Sequence, residues 1–227
     1  ETPPDARAEA LLAGAVAARE ARDELAALEV LEAGKAWEEA DADVCEAIDH
    51  LEYHARQMLR LGRQVELGVA GESSRLAYGP RGVAVVIAPW NFPLAISMGM
   101  VSAALVTGNT VVFKPSSLTP VLGSMAARLL VGAGLPAGVL NFLPASGAQT
   151  GDLLTGHPAV SLVAFTGSKE VGLHILQRAG RYAPEAGELR AVVAEMGGKN
   201  AVIVDADADL DEAVVQVVRS AFGYQGQ

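Results

Sequence analysis

From residue 83 onward, short β-branched runs alternate with stretches long enough to hold a helix, and this alternation limits the folds open to the chain more than any other feature. The runs are 83–88, 110–113, 139–143, 162–165, 191–195 and 201–204. Apolar runs this short read as strands buried on both faces. Parallel neighbours need a crossover of a dozen or more residues, and most of the intervals can contain one. The expected fold is α/β, a Rossmann-like parallel sheet with flanking helices.

Turn chemistry agrees. Gly108-Asn109 precedes the second run, Gly134 and Gly138 bracket the turn before the third, and Thr119-Pro120 offers an N-cap and first-turn proline for the helix between them. Upstream, residues 5–33 are rich in Ala, Leu, Glu and Arg, and 41–61 place Ala47, Ile48, Leu51, His54 and Met58 at helical spacing. Two helices are therefore expected to open the chain. Between them and the sheet, Gly68, Gly71, Gly79, Pro80 and Gly82 surround short apolar runs, a hairpin or extended arm able to pack on a neighbouring subunit. The expected division is 1–62 for the N-terminal helices, 63–82 for the arm, 83–198 for a dinucleotide-binding core and 199–227 for the start of a further domain.

Apolar residues make up 51% of the 227, enough to bury a large core. A net charge of −10 without any Lys/Arg cluster argues against nucleic-acid binding. Cys45 is the single cysteine, which permits no internal disulfide and is expected to be a buried structural thiol. No basic and apolar leader opens the chain and no apolar span suffices for a membrane helix, so a cytoplasmic protein is expected. His50 and His54 are spaced i, i+4 without an accompanying carboxylate motif, and no metal is expected there.

Polar groups close four of the runs, and in open α/β sheets ligands collect at the carboxyl ends of strands. Pro89-Trp90-Asn91-Phe92-Pro93 ends the first and precedes the apolar segment 94–106. The Asn91 carboxamide, held beside a helix N-terminus, can donate to an oxyanion or serve as an ordinary loop cap. Lys114-Pro115-Ser116-Ser117 ends the second, where a lysine suits ribose hydroxyls or phosphate, or is simply solvated. Phe165-Thr166-Gly167-Ser168 ends the fourth, a candidate pyrophosphate cradle in which Thr166 or Ser168 also fits as an N-cap. Glu195-Met196-Gly197-Gly198-Lys199 ends the fifth, and Glu195 could take a proton from water once partial burial raises its pKa, or pair with Lys199.

Together with Gly108-Asn109-Thr110 ahead of the second strand, these motifs in this order resemble the aldehyde dehydrogenase superfamily over essentially the whole chain. Residues 26–35, 46–56 and 220–227 are most similar to its 1-pyrroline-5-carboxylate dehydrogenases. The resemblance implies oxidation of the aldehyde L-glutamate γ-semialdehyde to L-glutamate in proline catabolism, with NAD as cofactor. Alternatives are a dehydrogenase for another aldehyde, such as succinic semialdehyde, or a non-catalytic nucleotide-binding or oligomerising module.

By the same resemblance, Asn91 donates to the oxyanion, Glu195 activates the deacylating water, Phe92 flanks the substrate's aliphatic part and Glu46 lies near its amine. Lys114 holds the adenosine ribose. Ile87, Ala88, Pro89, Trp90, Ser116, Ser117, Gly147, Gly151, Phe165, Thr166, Gly167, Ser168, Val171, Met196 and Gly197 line the cofactor. Ser117 stands where many NAD-preferring relatives place a glutamate, which leaves NADP open, and Ala145 replaces a frequent glycine. The family's nucleophilic cysteine follows the Gly226-Gln227 pair, and Cys45 is not expected to replace it. The chain is accordingly expected to be an internal fragment, inactive alone, of a homo-oligomeric enzyme, with a fused upstream proline dehydrogenase domain left open.

Overall fold

The computed structural model describes residues 2–181 and 189–224. Three helices come first: α1 (Pro4–Glu20), α2 (Arg22–Ala33) and α3 (Trp37–Leu61). The single helix expected over 5–33 bends at Ala21, which ends α1 through its N–H to Ala17 O and starts α2 by accepting from Leu25 N. No glycine or proline marks the bend. Packing sets it, since both helices lie along α3 and both reach the later helix Pro120–Gly132. Gly34, at φ 68°, turns the chain out of α2, a conformation that favours glycine. Residues Ala40, Val44, Ala47, Ile48, Leu51, Ala55 and Met58 form the buried stripe of α3.

The arm is a short antiparallel hairpin, β1 (Val65–Glu66) with β2 (Arg75–Leu76), exposed throughout. The core then alternates as read: β3 (Val83–Ile87), α4 (Ala95–Val106), β4 (Thr110–Lys114), α5 (Pro120–Gly132), β5 (Leu140–Phe142), α6 (Gly147–Gly156), β6 (Val160–Gly167), α7 (Lys169–Ala179), β7 (Ala191–Met196) and α8 (Leu210–Phe222). Five strands make one parallel sheet in the order β5-β4-β3-β6-β7. Both faces of β3 are buried. Ala84 and Val86 point to the larger layer, which holds residues of α1 to α5, whereas Val85 and Ile87 meet Val163, Phe165 and Ile175 on the other.

The strand expected at 201–204 does not form. Only four residues separate the end of β7 from Ala201, too few for the crossover that a parallel neighbour needs, and Val202, Ile203 and Val204 are exposed. Thr119 is the N-cap residue of α5, but its hydroxyl makes no cap bond. Glu32 of α2 caps instead, accepting Val121 N and Leu122 N on its two oxygens at 2.8 Å each. Among the described residues no helix is long and apolar enough to cross a membrane.

Candidate active site

The chain steps outward from β3 to β4 to β5, then returns to place β6 on the other side of β3. That reversal is a topological switch point, where the crevice at the strands' carboxyl ends can receive a ligand. Register brings the predicted motifs to this edge: Ile87 pairs with Lys114 and with Phe165, Thr166 with Glu195, and Gly167 with Met196. A cavity of about 240 Å³ lined by Arg7, Gly108, Asn109 and Leu135 lies at the opposite edge, by the start of β4.

Beyond β3, Ala88 is buried and its N–H bonds Lys114 O at 3.2 Å, so strand pairing continues to the turn. Trp90 is exposed, and Asn91 and Phe92 are half-buried. The Phe92 ring stacks on that of Tyr224 at 5.2 Å and 10°, while Tyr224 Oη donates to Asn91 O at 2.6 Å. No side chain of the turn itself caps the N-cap residue Leu94; Asp43 of α3 reaches across and accepts Ala95 N at 2.8 Å.

Lys114 is buried, 5% exposed, and not the solvated lysine that the sequence also allowed. Its Nζ donates to Pro115 O at 2.9 Å, and burial lowers its pKa. Gly123 of α5 presses on this loop: a Cβ there would come within 2.6 Å of Pro115 Cβ. Ser116 Oγ accepts from Leu118 N, and Ser117 is exposed beside it.

On the other side of the crevice, Ser168 is the N-cap of α7, accepting Val171 N at 3.3 Å. The N-cap reading is therefore met, and the helix N-terminus it caps opens at the sheet edge. Thr166 Oγ1 turns to Met100 Sδ of α4 at 3.6 Å. Gly172 lets α7 sit against the end of β7, because a Cβ would overlap Met196 Sδ. Gly147 and Gly151 occupy the first turns of α6 with open space where a Cβ would stand. Val171 and Gly197 are exposed.

Glu195 is exposed and, among the described residues, pairs with no cation, Lys199 included; the partial burial expected of it is not present here. Glu46 lies elsewhere in sequence but near in space. Helices α3 and α4 run side by side, with Asp43 at Ala95, the His50 ring against Gly99 and His54 Nδ1 2.8 Å from Ser102 Oγ. Glu46 is exposed one turn after Asp43, level with the first turn of α4, and 3.5 Å from His50 Nε2. Burial, then the charge of His50, pushes the His54 pKa down to about 4. Cys45 is half-buried rather than buried.

Sequence reading missed one group, Glu29, Lys35 and Asp43, all buried behind the pentapeptide. Lys35 Nζ lies 2.9 Å from Asp43 Oδ2, 3.1 Å from Glu29 Oε2 and 4.4 Å from the Phe92 ring centre. Burial opposes the lysine's charge, but the two carboxylates outweigh it and raise its pKa. Burial, then the charge of Asp43, pushes Glu29 up to about 9. A signal existed in the sequence. Asp43 falls on the apolar stripe of α3, and Glu29 follows Leu25 and Ala26 on that of α2.

Residues 1–227 match the aldehyde dehydrogenase family. The chain is 52% identical to the 1-pyrroline-5-carboxylate dehydrogenase of Geobacillus sp. (strain WCH70) and 50% identical to 1-pyrroline-5-carboxylate dehydrogenase 2 of Bacillus subtilis (strain 168), over 100% of its own length and 44% of each relative. Among solved structures, Thermus 1-pyrroline-5-carboxylate dehydrogenase with bound NAD superposes with a TM-score of 0.95 at 45% identity, over 100% of this chain and 44% of that one. Proline utilization A from Bdellovibrio bacteriovorus, inactivated by N-propargylglycine, gives 0.97 at 48% identity, over 100% and 24%. The chain thus spans less than half the length of the curated relatives it matches.

Proposed function

The chain belongs to the aldehyde dehydrogenase family, and from that premise we propose that it is the dinucleotide-binding part of an NAD-dependent 1-pyrroline-5-carboxylate dehydrogenase. The reaction is oxidation of L-glutamate γ-semialdehyde to L-glutamate in proline catabolism. The observation that carries this reading is the convergence of Trp90, Lys114, Thr166-Gly167-Ser168 and Glu195 on one sheet edge around the switch point. The shared name of the relatives points to the substrate, and the Thermus complex to the cofactor.

The residues present fit a dinucleotide. Lys114 is a buried ammonium that donates to its neighbour's carbonyl, so its remaining donors suit an incoming ribose. The capped N-terminus of α7, with Gly167 and Ser168, suits the pyrophosphate. Ile87, Ala88, Pro89, Trp90, Phe165, Val171, Met196 and Gly197 form the walls, with Ser116, Gly147 and Gly151 completing the rim. Ser117 offers no carboxylate against a 2′-phosphate, which leaves NADP as a second cofactor.

A bound NAD would supply the hydride acceptor for the oxidation. Asn91 donates from its carboxamide to the developing oxyanion, which lowers the barrier only if its position is fixed beforehand. Phe92 borders the substrate's methylenes, Glu46 faces its amine, and Glu195 takes a proton from the water that would cleave the acyl–sulfur bond to the cysteine of the full-length enzyme, returning the thiolate. The wider reading keeps 83–198 as the dinucleotide core, uses the 63–82 arm for contact between copies, and places the protein in the cytoplasm, with a fused proline dehydrogenase domain as a further arrangement.

The test is turnover by the full-length protein. NADH formation from L-glutamate γ-semialdehyde should exceed that from succinic semialdehyde by about tenfold or more in kcat/KM. Asn91→Ala should lower kcat about 100-fold. A preference for succinic semialdehyde overturns the substrate, and absence of NADH formation from either overturns the enzyme reading.

A further inference from the structure

We propose that the buried Glu29, Lys35 and Asp43 cluster is a positioning device for the Asn91-Phe92 turn, with Lys35 acting on Asn91 through Phe92 and Tyr224. The inference rests on the reading of Asn91 as the oxyanion donor. It concerns a different question, namely what holds that donor in place.

Three ionisable side chains almost wholly removed from water are weak evidence for stability, because apolar residues of the same volume often serve as well. What such a cluster supplies is direction. Lys35 reaches two carboxyl groups, Glu29 of α2 and Asp43 of α3, and these fix the ammonium in a single place. From there it faces the Phe92 ring at 4.4 Å and the Tyr224 ring at 5.9 Å, within the range of cation–π attraction. The two rings are themselves stacked nearly parallel.

The same cluster reaches the turn by a second route. Asp43 spends one oxygen on Lys35 and the other on Ala95 N, so one carboxylate links the ammonium to the first N–H of α4. Tyr224, held against Phe92, donates to the backbone carbonyl of Asn91. The peptide of Asn91 is thus fastened at its own carbonyl, at the ring that follows it and at the helix start beyond. A displacement of about 1 Å at such a donor can cost about 100-fold in rate.

A purely structural cluster would lower activity equally whether or not the donor is present. A positioning cluster has nothing left to position once Asn91 is gone. The experiment is therefore a double-mutant cycle on kcat in the full-length protein, with Lys35→Met, Asn91→Ala and both together. Lys35→Met should lower kcat about tenfold with the KM for NAD unchanged, and in the Asn91→Ala background it should cost less than about twofold. Losses that multiply in the double variant overturn the inference and leave the proposed function standing. An unchanged kcat in Lys35→Met also overturns it. Full kcat in Asn91→Ala removes the oxyanion reading, and the inference with it. If Lys35→Met does not fold, Tyr224→Phe carries the same cycle, since it removes one half-buried hydroxyl; a loss of about threefold that disappears beside Asn91→Ala supports the inference, and a multiplying loss overturns it.

Discussion

Lys114→Met should move stability and cofactor affinity in opposite directions. The ammonium is 5% exposed, makes one hydrogen bond to Pro115 O and, among the described residues, has no carboxylate partner within 4.0 Å. The protein's own groups therefore compensate its charge only in part. Methionine has a similar length and needs no acceptor, so the variant without cofactor should be as stable as the parent or more stable by about 1 kcal/mol. The bound state loses a charge-assisted hydrogen bond of about 1.5–3 kcal/mol, which weakens NAD binding about 10- to 100-fold. At a fixed excess of NAD, each tenfold loss of affinity removes about 1.4 kcal/mol of ligand-induced stabilisation. The sign with pH follows from burial, which lowers the lysine's pKa from 10.5. Its cost is complete below the folded pKa and shrinks as pH rises from there to 10.5, so parent and variant should converge at alkaline pH. Calorimetric titration with NAD and urea unfolding with and without it, both on the full-length protein, measure the two effects. An NAD affinity within twofold of the parent, or a loss of more than about 2 kcal/mol without cofactor, would refute the reasoning.

Other substitutions probe the frame around the site. Gly172→Ala places a methyl against Met196 and Phe165 where α7 meets β7, and overpacking there should cost about 1–3 kcal/mol in urea unfolding, with weaker NAD binding as α7 shifts. Glu32→Ala removes both acceptors from the start of α5 and should cost about 1–2 kcal/mol; Thr119→Ala, at the nominal cap, should cost less, and the reverse order would show the cap misassigned. For Glu29, burial and then the Asp43 charge raise the carboxyl from 4.5 to about 9, so the folded state holds more protons between those values and stability falls as pH rises through them. Glu29→Gln keeps the neutral shape and should flatten that decline, whereas parallel stability curves from pH 5 to 9 would contradict the assignment.

What could be read in advance follows the range of the interactions. Strands β3, β4 and β6 were legible because burial leaves continuous apolar runs, the edge strands β5 and β7 through their β-branched and apolar residues although they are only partly buried, and the strand-end motifs because each is a short peptide whose chemistry is local. Run 201–204 misled for the same reason: apolar content says nothing about whether the connection before it is long enough to cross the sheet. The bend at Ala21 had no local marker, since alanine is at ease on either side of it. Thr119 had the right residue type for a cap, yet the acceptor came from Glu32, on another helix.

The strand-end placement of the candidate residues was legible, and what supports them was not. Asn91 could be read from sequence as an oxyanion donor or as an end cap, and within the pentapeptide nothing separates the two. The fold bears on that choice through Asp43, which brings a carboxylate from α3 to the first N–H of α4. Capping of that N–H therefore does not account for an asparagine at 91. Asp43 is itself held by Lys35, and Lys35 lies against Glu29, so the acceptor at the start of α4 depends on buried ionisable groups drawn from two other segments. A chain that needed only a helix cap could place serine or aspartate beside the turn, at no cost of burying three ionisable groups. The expense is intelligible if the turn must hold a donor still, which is the condition under which a preorganised oxyanion site works.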